Sequence, residues 1–163
     1  MDQERKFVQI IRENEGLIYK VSSIYAQARE DRLDLYQEIV LQLWKAWKKY
    51  RGEAKVSTWM YRVAMNTGIT YIRKQKRRAR QVELDNQLLN RAENLDPALE
   101  ERMNLLYRHI ESLGKLDKGL ILLYLEDRNY EEIAEITGLS KSNVGTRLSR
   151  IKQKLKNQML KQT

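Results

Sequence analysis

Between Tyr36 and Trp47 the apolar residues Tyr36, Ile39, Val40, Leu43, Trp44 and Trp47 fall at i, i+3, i+4, i+7, i+8 and i+11. Steps of three and four gather them on one stripe of an amphipathic helix, while Asp34, Gln37, Glu38, Leu41, Gln42, Lys45 and Lys48 lie off it. A shorter helix precedes, with Phe7, Ile10, Ile11, Ile18, Val21 and Tyr25 as its apolar positions. After the break at Tyr50-Arg51-Gly52-Glu53-Ala54, Ser57 is placed to cap a third long helix, predicted from Thr58 to about Arg78. On that helix Trp59, Met60, Val63, Ala64 and Tyr71 can face a core, and Arg62, Asn66, Thr70, Arg73 and Arg77 step along another face.

Composition supports a helical chain and removes several chemistries. Of 163 residues 33% are charged, only one is proline and seven are glycine, which reads as helix-rich rather than disordered. With no cysteine there is no disulfide framework, thiolate zinc site or cysteine nucleophile, and His109 is the only imidazole. No metal site and no cofactor are expected. The longest apolar run, Leu120 to Leu125, is far short of the roughly 20 residues that span a bilayer. Met1-Asp2-Gln3-Glu4-Arg5 leads into no uninterrupted apolar segment, so no signal peptide is expected. These features together predict a cytoplasmic protein without direct membrane insertion.

The net charge of +9 is partitioned along the chain. Residues 1–80 hold 18 basic and 9 acidic residues, residues 81–114 hold 3 and 7, and residues 115–163 hold 10 and 6. Two basic blocks therefore flank an acidic middle that contains the only proline, Pro97. The polar stretch Gln81 to Asp96 reads as a linker. The expected architecture is all-α: a helical domain over 1–80, a linker over 81–97 and a second helical domain over 98–163. Two basic domains suit two contacts on one nucleic acid. The third helix ends in Arg73-Lys74-Gln75-Lys76-Arg77-Arg78-Ala79-Arg80, six basic residues in eight. A helix dipole is satisfied by one or two cations, so this excess points to phosphate neutralisation.

Asp34-Leu35-Tyr36-Gln37-Glu38, Leu43-Trp44-Lys45-Ala46-Trp47, Arg51-Gly52-Glu53 and the run Ser57 to Asn66, followed by the basic end, resemble region 2 of a bacterial RNA polymerase sigma factor of the extracytoplasmic-function (ECF) type. The resemblance implies that Asp34, Gln37 and Glu38, with Leu41 and Trp44 as neighbours, dock on the clamp helices of the largest subunit of core polymerase. It also implies that the loop from Arg51 to Ser57, together with Asn66, captures a flipped base of the −10 element. An extruded base needs a snug pocket and edge hydrogen bonds, which an amide supplies. Arg62, Thr70, Arg73, Lys74, Arg77 and Arg78 are the further −10 candidates. Trp59, one turn into an amphipathic helix, is expected in the core rather than as a stacking platform.

In the second basic block, Asn129 with Glu132 three residues on forms a capping-box-like start for the helix Tyr130 to Thr137. Gly138-Leu139-Ser140 supplies a turn, and Ser140 caps a further helix held by Val144, Leu148, Ile151 and Leu155. A short helix, a glycine-containing turn and a basic second helix make a helix-turn-helix, with Ala134 expected where the helices cross. The pattern also resembles region 4 of the same family, which reads the −35 element. By position Lys141, Ser142, Asn143, Thr146 and Arg147 are candidates for groove contacts, and Arg150 and Lys154 for phosphate. Gly145 stands where the family commonly has Lys or Arg, and Gly114-Lys115-Leu116 stands where a Leu-Pro pair usually opens the core helix. Leu116, Leu120, Leu123, Tyr124 and a helix from Ala98 to Leu113 are expected to form the small core, with His109 in a packing or surface role.

Two other classes account for part of the pattern. Glu30, Asp34 and Glu38 could hold a divalent cation for a nuclease, but nothing else converges on them in sequence and they suit protein docking equally. A polymerase-independent helix-turn-helix regulator accounts for residues 115–163 yet leaves Asp34, Gln37, Glu38 and the Asn66 helix without a purpose. The expectation is a sigma factor that binds core RNA polymerase and promoter DNA, is not itself an enzyme and, like many of that family, can be held by an anti-sigma factor.

Overall fold

The computed structural model describes residues 2–78 and 108–161, without the side chains of residue 73 and residues 75–78. The chain divides into two compact units, Met1–Glu83 and Leu84–Thr163.

The first unit contains α1 (Asp2–Glu13), α2 (Glu15–Tyr25), α3 (Arg29–Trp47) and α4 (Val56–Arg78). The single N-terminal helix expected from the sequence is two. Asn14 ends the first: its side-chain amide donates to the Ile10 carbonyl at 2.8 Å and its backbone N–H to Ile11 at 3.1 Å. A short amide beside a helix end competes with the backbone ladder in just this way. α2, α3 and α4 pack against one another, and α1 lies against α3.

The core of this unit is built from Ile18, Val21, Leu35, Ile39, Leu43, Met60, Tyr61 and Ala64, all fully or almost fully buried. On α3 the buried line runs through Arg32, Leu35, Ile39 and Leu43, while Tyr36, Val40, Trp44 and Trp47 are half-buried. The stripe read from the sequence is thus rotated: α2 and α4 cover the Leu35 side, while Phe7 of α1 and Trp59 of α4 meet its aromatic edge. Phe7 closes that edge, 4.9 Å from Trp44 and 6.1 Å from Trp47 between ring centroids. Arg32 is buried at the turn between α2 and α3, where its guanidinium donates to the Gln27 carbonyl at 2.7 Å and to the Tyr19 hydroxyl at 3.3 Å.

α4 begins at Val56, so Ser57 sits in its first turn rather than capping it, and the Lys55 carbonyl takes the Trp59 N–H at 3.0 Å. Further along, Gly68 faces Tyr25 of α2: a Cβ there would lie 2.5 Å from the ring. The absence of a side chain is what lets the two helices approach. Burial also pushes the Tyr25 phenol far above its ordinary pKa.

The second unit contains α5 (Lys115–Leu125), α6 (Tyr130–Thr137) and α7 (Lys141–Lys161), preceded by helical residues at 108–110. The expected helix from Ala98 lies outside the described residues up to 107. Gly114, in place of the usual Leu-Pro opening, serves as the N-cap of α5 with extended backbone, φ −64° and ψ 165°. α5 ends in a double closure in which Arg128 N–H reaches Leu123 and Asp127 N–H reaches Tyr124, with Asp127 at φ +60°.

The two caps read from the sequence are formed. Asn129 Oδ1 accepts from the Glu132 N–H at 2.8 Å, and Ser140 Oγ from the Asn143 N–H at 3.1 Å. Gly138 takes φ +80° and donates to the Ala134 carbonyl. Leu120, Leu123, Ile133, Ile136, Val144, Leu148 and Ile151 make the core with Ile110 and Leu113. Three expectations shift. Tyr124 is exposed, because Ile121 and Leu122 supply the burial expected of it. Leu116 and Leu155 are only half-buried.

Candidate functional site

A groove of about 670 Å³ runs between α3 and α4 of the first unit. Asp34, Gln37, Glu38, Leu41, Gln42 and Ala46 line it from α3, and Val63, Asn66, Thr67, Thr70, Tyr71 and Lys74 from α4. Residues expected to meet polymerase and residues expected to meet DNA are therefore opposite walls of one surface. The spacing explains each wall: 34, 37/38, 41/42 and 63, 66/67, 70/71, 74 are successive turns of one helix face. Asp34 and Gln37 are exposed, Leu41 keeps 44% of its surface, and the Glu38 carboxylate accepts from Gln42 Nε2 at 2.9 Å. Across the groove Asn66 is exposed, while the Thr70 hydroxyl donates to the Asn66 carbonyl at 2.9 Å and the Thr67 hydroxyl to Val63 at 2.7 Å.

Among the described side chains, the other first-unit candidates do not line the groove. Trp44 is half-buried beneath Phe7, and Arg62 and Ser57 are half-buried on α4. Arg51 is exposed in the loop before α4. That loop is anchored by Tyr50, whose hydroxyl donates to the Ala54 carbonyl and whose ring stacks on Trp47 and Trp59 at 5.8 and 4.8 Å. Trp59, 8% exposed, belongs to this aromatic stack and to the core. α4 extends through 73, 77 and 78, but the Arg73, Arg77 and Arg78 side chains lie outside the described residues, as do the basic residue at 80 and the linker 81–97.

At one end of the groove Asp31 accepts a long hydrogen bond, 3.5 Å, from the Tyr71 hydroxyl. Burial holds the Asp31 carboxyl above its ordinary pKa, Asp34 and Glu30 push the same way, and the Tyr71 contact opposes them. Sequence reasoning missed Gln42, Val63, Thr67 and Tyr71 as lining residues. Their signal was present as helical spacing: Gln42 follows Glu38 by four, Val63 precedes Asn66 by three, and Thr67 and Tyr71 follow Val63 at steps of four.

In the second unit α7 buries Val144, Leu148 and Ile151 and leaves Lys141, Ser142, Asn143, Thr146, Arg150 and Lys154 exposed on its outer side. Several of its cations have partners within the unit. Lys141 Nζ lies 3.2 Å from Glu131, Arg147 Nη1 lies 3.3 Å from Asp117, and Lys154 Nζ lies 3.5 Å from the Ser112 carbonyl. Gly145 lies over the Tyr130 ring, with a Cβ position 3.4 Å from it. Lys152 Nζ sits 3.8 Å from the centre of the exposed Tyr124 ring, whose hydrogen bond raises the ammonium pKa.

Among the described residues no three His, Cys, Asp or Glu side chains converge to hold a metal ion, and no helix is long and apolar enough to cross a membrane.

Comparison with known proteins matches residues 10–78 to Sigma-70 region 2 and residues 103–155 to Sigma-70, region 4. The ECF RNA polymerase sigma-E factor of Escherichia coli K12 is 30% identical over 158 residues, covering 86% of this chain and 81% of the relative. The RNA polymerase sigma factor SigV of Bacillus subtilis is 27% identical over 147 residues, covering 88% and 85%. Among solved structures, the sigma factor RpoE of Bartonella quintana, in complex with the anti-sigma factor NepR, superposes with a TM-score of 0.67 at 16% identity over 96% of this chain and 95% of its own, a likeness of fold.

Proposed function

The chain belongs to the sigma-70 family, in its ECF branch, and from that premise we propose how its two units divide the work of finding a promoter. As an ECF sigma factor it binds core RNA polymerase and directs transcription initiation. The finer assignment is ours. Residues 1–80 dock on the clamp helices and capture the −10 element, residues 98–163 read the −35 duplex, and residues 81–97 connect them.

The observation that carries this reading is the groove with two unlike walls. Asp34, Gln37, Glu38 and exposed Leu41 stand on α3, a mixed acidic and apolar edge suited to a protein partner. Exposed Asn66 and Lys74 stand on α4, which continues into the basic end and suits a strand of nucleic acid. Asn66 supplies the amide that can pair with a base edge, and Arg51, Ser57, Arg62, Thr70, Arg73, Arg77 and Arg78 supply the surroundings of the strand. Trp44, held under Phe7, supports the docking wall from behind.

On α7, Ser142, Asn143 and Thr146 face outward for base edges together with Lys141 and Arg147, and Arg150 and Lys154 are spaced for phosphate. Duplex recognition by the second helix of a helix-turn-helix follows from its dimensions, because a single helix fills the major groove. In this reading the chain works in the cytoplasm and performs no covalent step: nucleotide polymerisation belongs to the core enzyme. An anti-sigma factor is the natural antagonist, since it would compete for the same surfaces.

The division of roles is tested by two substitutions. Asn66→Ala loses −10 selectivity and keeps core binding, whereas Glu38→Lys loses core binding and keeps the ability to hold single-stranded −10 DNA. Measured by co-elution with core polymerase and by binding to a single-stranded −10 oligonucleotide, loss of the same function in both variants would overturn the assignment.

A further inference from the structure

Resting on the reading of α7 as the −35 helix, we propose that Asp117 is a positioning residue that sets the sequence discrimination of that helix by holding Arg147. Arg147 sits on α7 one turn beyond Asn143 and beside Thr146, both exposed, but it is itself only partly exposed. Its Nη1 donates to Asp117 Oδ1 at 3.3 Å, across 30 residues of sequence and from one helix to another.

The two side chains retain 39% and 34% of their exposure, so the pair is neither sealed from solvent nor dominated by it. The neighbouring pair Lys141–Glu131 retains 63% and 75%. At that exposure two long side chains gain little by staying together, and an ammonium contact fixes no plane. Arg147 is the candidate groove contact whose planar guanidinium is tied to another helix by a half-buried pair. Asp117 is itself well placed for this, in the first turn of α5, where the helix dipole favours a carboxylate.

The consequence follows from guanidinium chemistry. The group has five N–H donors in one plane, and a contact through Nη1 leaves others free while fixing the direction in which the plane points. Reading guanine O6 and N7 requires two parallel donors in one orientation, so a guanidinium already held there loses less freedom on binding the right base. The carboxylate behind it opposes any phosphate that approaches without such a base contact. Both effects act in one direction: discrimination rises and non-specific affinity falls.

The test uses holoenzyme reconstituted from core polymerase and the full chain, with a duplex that this holoenzyme selects from a pool randomised upstream, and the same duplex with that block scrambled. The readout is the ratio of the two dissociation constants. Asp117→Ala is expected to lower the ratio by about fivefold, through weaker selected binding and tighter scrambled binding. Asp117→Glu restores most of it, and Asp117→Asn, which keeps size but not charge, falls between. In an Arg147→Ala background the Asp117 substitution has no further effect on the ratio. A merely structural role predicts instead a lower melting temperature and equal weakening on both duplexes. That result, or an Asp117 effect that persists without Arg147, overturns the inference while leaving the −35 reading intact. An unchanged ratio in Arg147→Ala alone overturns the assignment of Arg147 and the inference with it.

Discussion

Gly68 and Gly16 lie on packed neighbouring helices, yet the same substitution has opposite consequences at the two. A Cβ at Gly68 would meet the buried Tyr25 ring at 2.5 Å, and one at Gly16 meets nothing within 4 Å. Gly68→Ala is therefore expected to cost about 1–3 kcal/mol through overpacking, and Gly16→Ala to add about 0.5 kcal/mol by restricting the unfolded chain. All three tryptophans, Trp44, Trp47 and Trp59, lie in the first unit, so denaturant titration followed by tryptophan fluorescence reads that unit alone. Asp31 gives a second expectation. Its folded pKa is raised above the ordinary 3.8, chiefly by burial, so its contribution to stability is full below that value and is lost as pH rises through the raised one. Asp31→Asn should thus be more stable than the parent at pH 7, with the gain vanishing in acid; the same fluorescence titration repeated across pH checks it. Neither the Gly68–Tyr25 approach nor the Asp31–Tyr71 contact was legible in the sequence, since both join residues some 40 apart whose proximity only the packing creates. Asn66 was legible, as an amide on a cation-bearing face.

At the scale of elements, what could be read was what is determined locally. Asn129, Gly138 and Ser140 act through backbone groups within four residues, and each takes the role its type and spacing indicated. The direction in which an amphipathic stripe faces is set by neighbours, so the buried line of α3 runs through Leu35 rather than Tyr36, and Tyr124 lies outside the core. The end of α5 offers a measurable case. Asp127 holds a left-handed conformation that glycine adopts without penalty, so Asp127→Gly is expected to stabilise the second unit by about 1 kcal/mol. Asn129→Ala, two residues on, should destabilise it by about 1 kcal/mol through loss of the cap. Hydrogen exchange of the α5 and α6 amides separates these effects from the first unit.

For the whole molecule, the net charge of +9 announces a polyanionic partner but conceals how the charges are used. In the first unit the acidic wall of α3 and the Asn66 and Lys74 wall of α4 share one groove, so that polymerase and DNA are proposed to meet this unit on adjoining surfaces. In the second, cations of α7 are partly held by Asp117 and Glu131, which tempers the attraction of a basic helix for any duplex. The two units are thereby expected to read different parts of a promoter. The most direct test is transcription by core polymerase reconstituted with this chain, on a promoter whose −10 and −35 blocks are scrambled one at a time. The account predicts a transcript that depends on both blocks, with Asn66→Ala indifferent to the −10 block alone and Arg147→Ala indifferent to the −35 block alone. The absence of any promoter-dependent transcript, or indifference of both variants to the same block, would contradict it.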